Sequence, residues 1–124
     1  MGEIKSYRDL RVWQDGMTLV EGCYRISKMF PEEELFGLTS QLRRAAVSVP
    51  ANIAEGYGRD SRGSYVSFLR DAQGSLKEVE THLILAQRLS FGSFELAERL
   101  LSECESLGRM LRTLIRRLQS SEEE

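Results

Sequence analysis

Apolar residues recur along this chain at alternating steps of three and four, the spacing that places them on one face of an α-helix. Four segments show it, and none sustains the strict alternation of a half-buried strand. The first spans about Asp9 to Phe30, where Leu10, Trp13, Met17, Val20 and Tyr24 recur in step. Ser6 followed by Asp9 has the form of an N-terminal cap. Pro31 stops this helix, and Glu32-Glu33-Glu34 opens a polar connection. The second spans about Leu38 to Tyr57 on Leu38, Leu42, Ala45, Ala46, Val49, Ile53, Ala54 and Tyr57. Pro50 lies inside it and frees the carbonyl of Ala46, so a kink is expected near Ala46–Pro50. The periodicity continues past the proline, which argues for one helix rather than two. Gly56 and Gly58 mark its exit.

The third segment spans about Arg62 to Leu89 with Ser61 as cap, on a stripe from Tyr65 through Leu69, Leu76 and Leu83. Phe91-Gly92-Ser93 makes a tight connection. The fourth spans about Phe94 to Leu118 with Ser93 as cap, on a stripe from Ala97 through Cys104, Leu107 and Leu111. Each helix is then about 30 Å long. Similar lengths and short connections predict an all-α, antiparallel up-down-up-down four-helix bundle over residues 9–118. Residues 1–8 form an N-terminal arm and residues 119–124 a frayed acidic tail.

Two surfaces exceed what such a bundle requires. On the first helix a second apolar series, Val12, Leu19, Cys23, Ile26 and Phe30, flanks the first, and together they cover roughly 200°. The surplus is either buried in the same bundle or used between subunits. The subunit interface is the reading adopted, because monomers rarely expose large apolar patches. On the fourth helix Arg109, Arg112, Arg116 and Arg117 share an arc of roughly 140° opposite the leucines, with no acid between Arg109 and Gln119. They form either a solvated face that complements the helix dipole or a local patch for phosphates.

Composition narrows the function classes. The chain has 124 residues, enough for one domain with a core that needs neither metal nor disulfide. With 41% hydrophobic and 29% charged residues it reads as globular, and a net charge of −2 is unlike a generally basic nucleic-acid binder. Cys23 and Cys104 lack ligand spacing and read as buried, reduced thiols of a cytoplasmic protein. No apolar run reaches the roughly 20 residues of a membrane span, and the polar N-terminus is not a secretory signal. Met1-Gly2-Glu3-Ile4-Lys5-Ser6 formally fits an acylation pattern, which a start codon followed by a cloning glycine explains as well.

Catalytic chemistry finds no footing. A di-iron bundle needs two Glu-x-x-His pairs, and the one histidine, His82, has Glu78 four residues before it and Val79 three before it. No phosphate loop or zinc motif is present, so neither enzyme activity nor a cofactor is expected, and a metal-dependent bundle enzyme is the remotest rival.

The run Phe36-Gly37-Leu38-Thr39-Ser40-Gln41-Leu42-Arg43-Arg44-Ala45-Ala46-Val47-Ser48-Val49-Pro50-Ala51-Asn52-Ile53-Ala54-Glu55-Gly56-Tyr57-Gly58-Arg59 resembles the signature of a bacterial family. Its members were first recognised as reading frames inside intervening sequences of 23S ribosomal RNA genes. Tyr7-Arg8-Asp9-Leu10 with Val12-Trp13-Gln14, Gly74-Ser75-Leu76 and Leu107-Gly108-Arg109-Met110-Leu111 extend the likeness from about Tyr7 to Leu118. The resemblance implies a four-helix bundle that assembles into a homopentameric ring, with no known enzymatic activity. A related branch comprises the accessory proteins of diversity-generating retroelements, which bind nucleic acid and partner a reverse transcriptase. Those proteins are strongly basic, unlike this chain.

The expected function is a non-catalytic, homo-oligomeric scaffold or adaptor whose partner is RNA, DNA or an RNA-handling protein. The retroelement accessory role is the alternative. Arg43, Arg44, Arg109, Arg112, Arg116 and Arg117 are the expected phosphate contacts. Pro50, Asn52, Glu55, Gly56 and Gly58 either build the kink and the turn into the third helix or present a binding surface there. Asn52 and Glu55 are expected to satisfy freed backbone groups or to pair with Arg43, Arg44 or Arg59.

Overall fold

The computed structural model describes residues 3–123, with side chains through Ser120. Met1 and Gly2, where the acylation pattern begins, and Glu124 at the end of the acidic tail lie outside the described residues. Four long α-helices make up the fold: α1 (Arg11–Ser27), α2 (Leu38–Tyr57), α3 (Arg62–Arg88) and α4 (Phe94–Glu123). Two short 3-10 helices, Tyr7–Asp9 and Glu32–Glu34, precede α1 and α2, and no strand occurs among the described residues.

Local chemistry sets the boundaries. Ser6 and Asp9 form a reciprocal capping box, but it caps the short Tyr7–Asp9 turn rather than α1. Leu10 is extended, and α1 starts after it. Tyr7 then packs edge-on against Trp13 at 5.3 Å between ring centres, which ties this arm to the helix. At the other end α1 closes at Ser27, three residues short of the expected Phe30. The amides of Met29 and Phe30 bond back three residues, to Ile26 and Ser27, and tighten the chain ahead of Pro31. Ser61 and Ser93 cap α3 and α4 by accepting from the amides of Ser64 and Leu96. At the start of α2 a Glu34 carboxylate oxygen accepts from the amide of Leu38 at 3.1 Å. α2 runs unbroken through Pro50, and α4 continues to Glu123, past the Leu118 where its apolar stripe ends.

Consecutive helices pack side by side, α4 returns to α1, and among the described residues the backbones of the diagonal pairs do not approach closely. Contacts give the directions. Gly16 of α1 meets Pro50 of α2, while Ser27 meets Arg43. Ser48 meets Ser75 across α2 and α3, and Gln87 meets Glu98 across α3 and α4. Gly22 meets Leu100, while Leu10 and Val12 share a groove with Met110 and Leu114. Every neighbouring pair is therefore antiparallel. Leu19, Leu42, Ile53, Leu69, Leu76, Leu83 and Leu111 are among the side chains wholly withdrawn from solvent at its centre.

The two arcs of α1 are assigned the other way round from the sequence reading. Val12, Leu19, Cys23, Ile26 and Phe30, expected at a subunit interface, are buried in the chain's own core. The arc expected in the core is the outer one: Trp13 and Val20 are half-buried, and Met17 and Tyr24 are exposed. Gly16 and Gly22 belong to the inner arc. Both lie on the Leu19 side of the helix, where α2 and α4 approach so closely that a Cβ at Gly22 would strike Leu100.

Candidate interaction surfaces

The arginines expected to act together fall into separate places. Arg43 and Arg44 lie early in α2, beside the end of α1. Arg109, Arg112, Arg116 and Arg117 lie late in α4, beside the start of α1, and α2 and α4 are diagonal. Arg43 is an internal fastener: its Nε donates to the Ser27 hydroxyl at 2.8 Å, and its guanidinium lies 4.6 Å from the centre of the Tyr24 ring. Arg44 is exposed on a shallow groove between α2 and α3, near Lys77 and His82.

The α4 arginines divide further. Arg109 and Arg117 line a groove of about 580 Å³ between α1 and α4, and Arg112 lines another between α3 and α4. Arg116 is exposed. Arg109 is bonded to Glu105 at 3.1 Å, whereas Arg112, Arg116 and Arg117 make no ion pair among the described residues. The first groove has an apolar floor of Leu10, Val12, Met110 and Leu114 and a third cation along it, Arg11. Arg11 is held only by Asp15, at 3.7 Å on the exposed surface.

Several residues of the signature segment in α2 hold helices together. Asn52 Nδ2 donates to the Ser48 carbonyl and the Ser48 hydroxyl, both at 2.9 Å, and the Ser48 and Ser75 hydroxyls are 2.8 Å apart. A polar chain thus bolts α2 to α3. Asn52 serves the Ser48 carbonyl and not that of Ala46, which Pro50 deprives of its usual partner. Glu55 pairs with Arg59 at 3.3 Å, one of the three arginines expected for it. Gly56 is buried against α3, where a Cβ would come within 2.8 Å of Phe68 Cβ, so it permits close helix approach rather than a reversal. Gly58 has ordinary helical angles and room for a side chain, so the turn does not demand glycine there.

The surface that sequence reasoning missed is the corner before α2. Phe36 is 93% exposed, Leu35 51%, and Tyr24 and Val47 stand beside them at 39% and 44%. A clue was present: Leu35 and Phe36 follow three glutamates and precede a glycine, outside every helical stripe.

The thiols lie elsewhere. Cys23 and Cys104 are free and buried, and burial, helped by Glu103, pushes the Cys23 thiol up to about 12. Burial chiefly raises Cys104 as well, with Cys23 adding to it. Neutral thiols of this kind are poor nucleophiles. Among the described residues no group of three or more His, Cys, Asp or Glu side chains could hold a metal ion, and no helix is long and apolar enough to cross a membrane.

A model of the 23S rRNA-intervening sequence proteins matches residues 8–113, from Arg8 through all of α1, α2 and α3 and most of α4. The chain belongs to the 23S rRNA-intervening sequence protein family. Among solved structures it is similar to a protein of unknown function from the S23 ribosomal protein family of Bacteroides thetaiotaomicron VPI-5482. That likeness has a TM-score of 0.78 at 23% identity and covers 84% of this chain and 97% of the other, a correspondence of fold. No curated protein matches the sequence. Within this family member the α2 signature coincides with the Asn52–Ser48–Ser75 bolt and the Gly56 contact.

Proposed function

We propose that this 23S rRNA-intervening sequence protein is a non-catalytic, homo-oligomeric helical scaffold that offers a basic end to RNA or to an RNA-handling protein. One observation carries the reading. Phe36 stands almost wholly in water beside Leu35, Tyr24 and Val47, an apolar face that a second copy would cover. The interface therefore belongs on the outer arc of α1 and the corner before α2, and a homopentameric ring is one closed form it can take. Sedimentation at tens of micromolar tests this. A concentration-dependent oligomer is the expected result, and a monomer throughout overturns it.

The RNA component is supported by Arg11, Arg109, Arg112, Arg116 and Arg117, all exposed toward the end of α4 and the start of α1. Repeating that end around an oligomer would strengthen its field. Titration of nuclease-treated protein with RNA or DNA should show binding that falls steeply with salt, the signature of phosphate contacts. Absence of binding at low salt would turn the search to protein partners. The retroelement accessory role uses the same basic end and adds a reverse transcriptase as partner. Co-purification with such an enzyme would separate it from the simpler scaffold.

A further inference from the structure

We infer that Leu35 and Phe36 of one copy seat in the α1–α4 groove of the next. This rests on the homo-oligomeric reading above and names its contact. The two surfaces match in chemistry. The groove has about 580 Å³ of space over an apolar floor that includes Met110 and Leu114, with Arg11, Arg109 and Arg117 around it. The corner presents a protruding aromatic ring, and Glu32 and Glu33 beside it are exposed. Seating the ring on the floor brings those carboxylates to the guanidiniums, which suit paired carboxylate oxygens, and leaves Arg112 and Arg116, outside the groove, to face RNA. Arg11 and Arg109 can exchange their present partners at little cost, because both pairs lie in water. Glu34 is already engaged at the start of α2.

The direction of the contact follows from where the two surfaces sit. They lie at opposite ends of α1, a 17-residue helix about 25 Å long, so the chain cannot fill its own groove. Two corners packed face to face would set Glu32 and Glu33 of one copy against those of the other, a like-charge juxtaposition that opposes association. The contact therefore joins unlike surfaces, the corner of one copy to the groove of another. Such contacts repeat from copy to copy and close into a ring when their rotation permits.

A double variant, Phe36→Cys with Met110→Cys, tests this in the full chain under mild oxidation. The native Cys23 and Cys104 are buried and do not compete. The expected result is a ladder of covalent multimers that collapses with reductant, while each single variant stays monomeric on the same gel. Phe36→Asp should abolish assembly in sedimentation without lowering the unfolding midpoint measured on protein dilute enough for the wild type to be monomeric. Arg117→Glu should weaken assembly, and adding Glu33→Arg should restore it. Dimers from Phe36→Cys alone, or an undiminished oligomer from Phe36→Asp, would overturn this contact and leave the homo-oligomer in place. A monomeric wild type would overturn both.

Discussion

The α2–α3 contact and the corner just before α2 are adjacent in sequence and opposite in construction. In the first, Asn52, Ser48 and Ser75 satisfy one another across the helices, and Gly56 gives up its side chain so that α2 can close on Phe68 and Tyr65. In the second, a phenylalanine has no neighbour to bury it. The inner face of the signature segment carries the tight helix contact, while the uncovered apolar area takes in Phe36 at its start and Val47 on its outer face.

The comparison breaks most visibly in the core that the signature helices share. Leu69→Ala removes a wholly buried side chain and should cost about 2–5 kcal/mol in chemical denaturation. Phe36→Ala, measured on dilute protein, should change stability by less than about 0.5 kcal/mol, since there is little packing to lose. Equal losses would show that the corner is packed after all. Gly56→Ala comes next. Overpacking against α3 costs about 1–3 kcal/mol, against a helix-propensity gain of about 1 kcal/mol, so a net loss is expected. A raised midpoint would mean that α3 yields freely.

Asn52→Ala should lose about 1 kcal/mol by releasing the Ser48 carbonyl and hydroxyl. Glu55→Ala should lose less than about 0.5 kcal/mol, because its pair with Arg59 is solvated. If either variant instead abolishes RNA binding at unchanged stability, the signature is a binding surface. The smallest effect at neutral pH comes from the thiols. Cys23 titrates at an ordinary 9.0 when unfolded and at about 12 when folded. The folded state therefore holds its proton more tightly. The stabilisation is complete below pH 9 and drains away between 9 and about 12. A denaturation midpoint that falls across that window in wild type but less in Cys23→Ala checks it, and native thiols should resist alkylation at pH 8.

Much of the fold was legible because helices are encoded locally. Ser61 and Ser93 are caps by residue type and position, and the stripes through Leu69, Leu76, Leu100 and Leu107 match the buried faces. The periodicity that carried α2 across Pro50 corresponds to one continuous helix. The candidate site was less legible. Arg43 and Arg44 share a signature with Asn52 and read alike, yet Arg43 is spent on Ser27 and Tyr24 while Arg44 faces water. Arg109 and Arg117 acquire Arg11 as a neighbour only because α4 returns to α1.

Sequence alone determined that this protein is helical, where α2, α3 and α4 begin, which stripe of each is apolar, and the family to which it belongs. Those properties depend on residues within a turn or two of one another, or on a contiguous run. Tertiary structure decided which of two equally apolar arcs of α1 faces inward. A helical wheel has no reference direction. α2 and α4 pack on the side that carries Gly16, Leu19 and Gly22, and among the described residues no further helix covers Met17 and Tyr24 on the other.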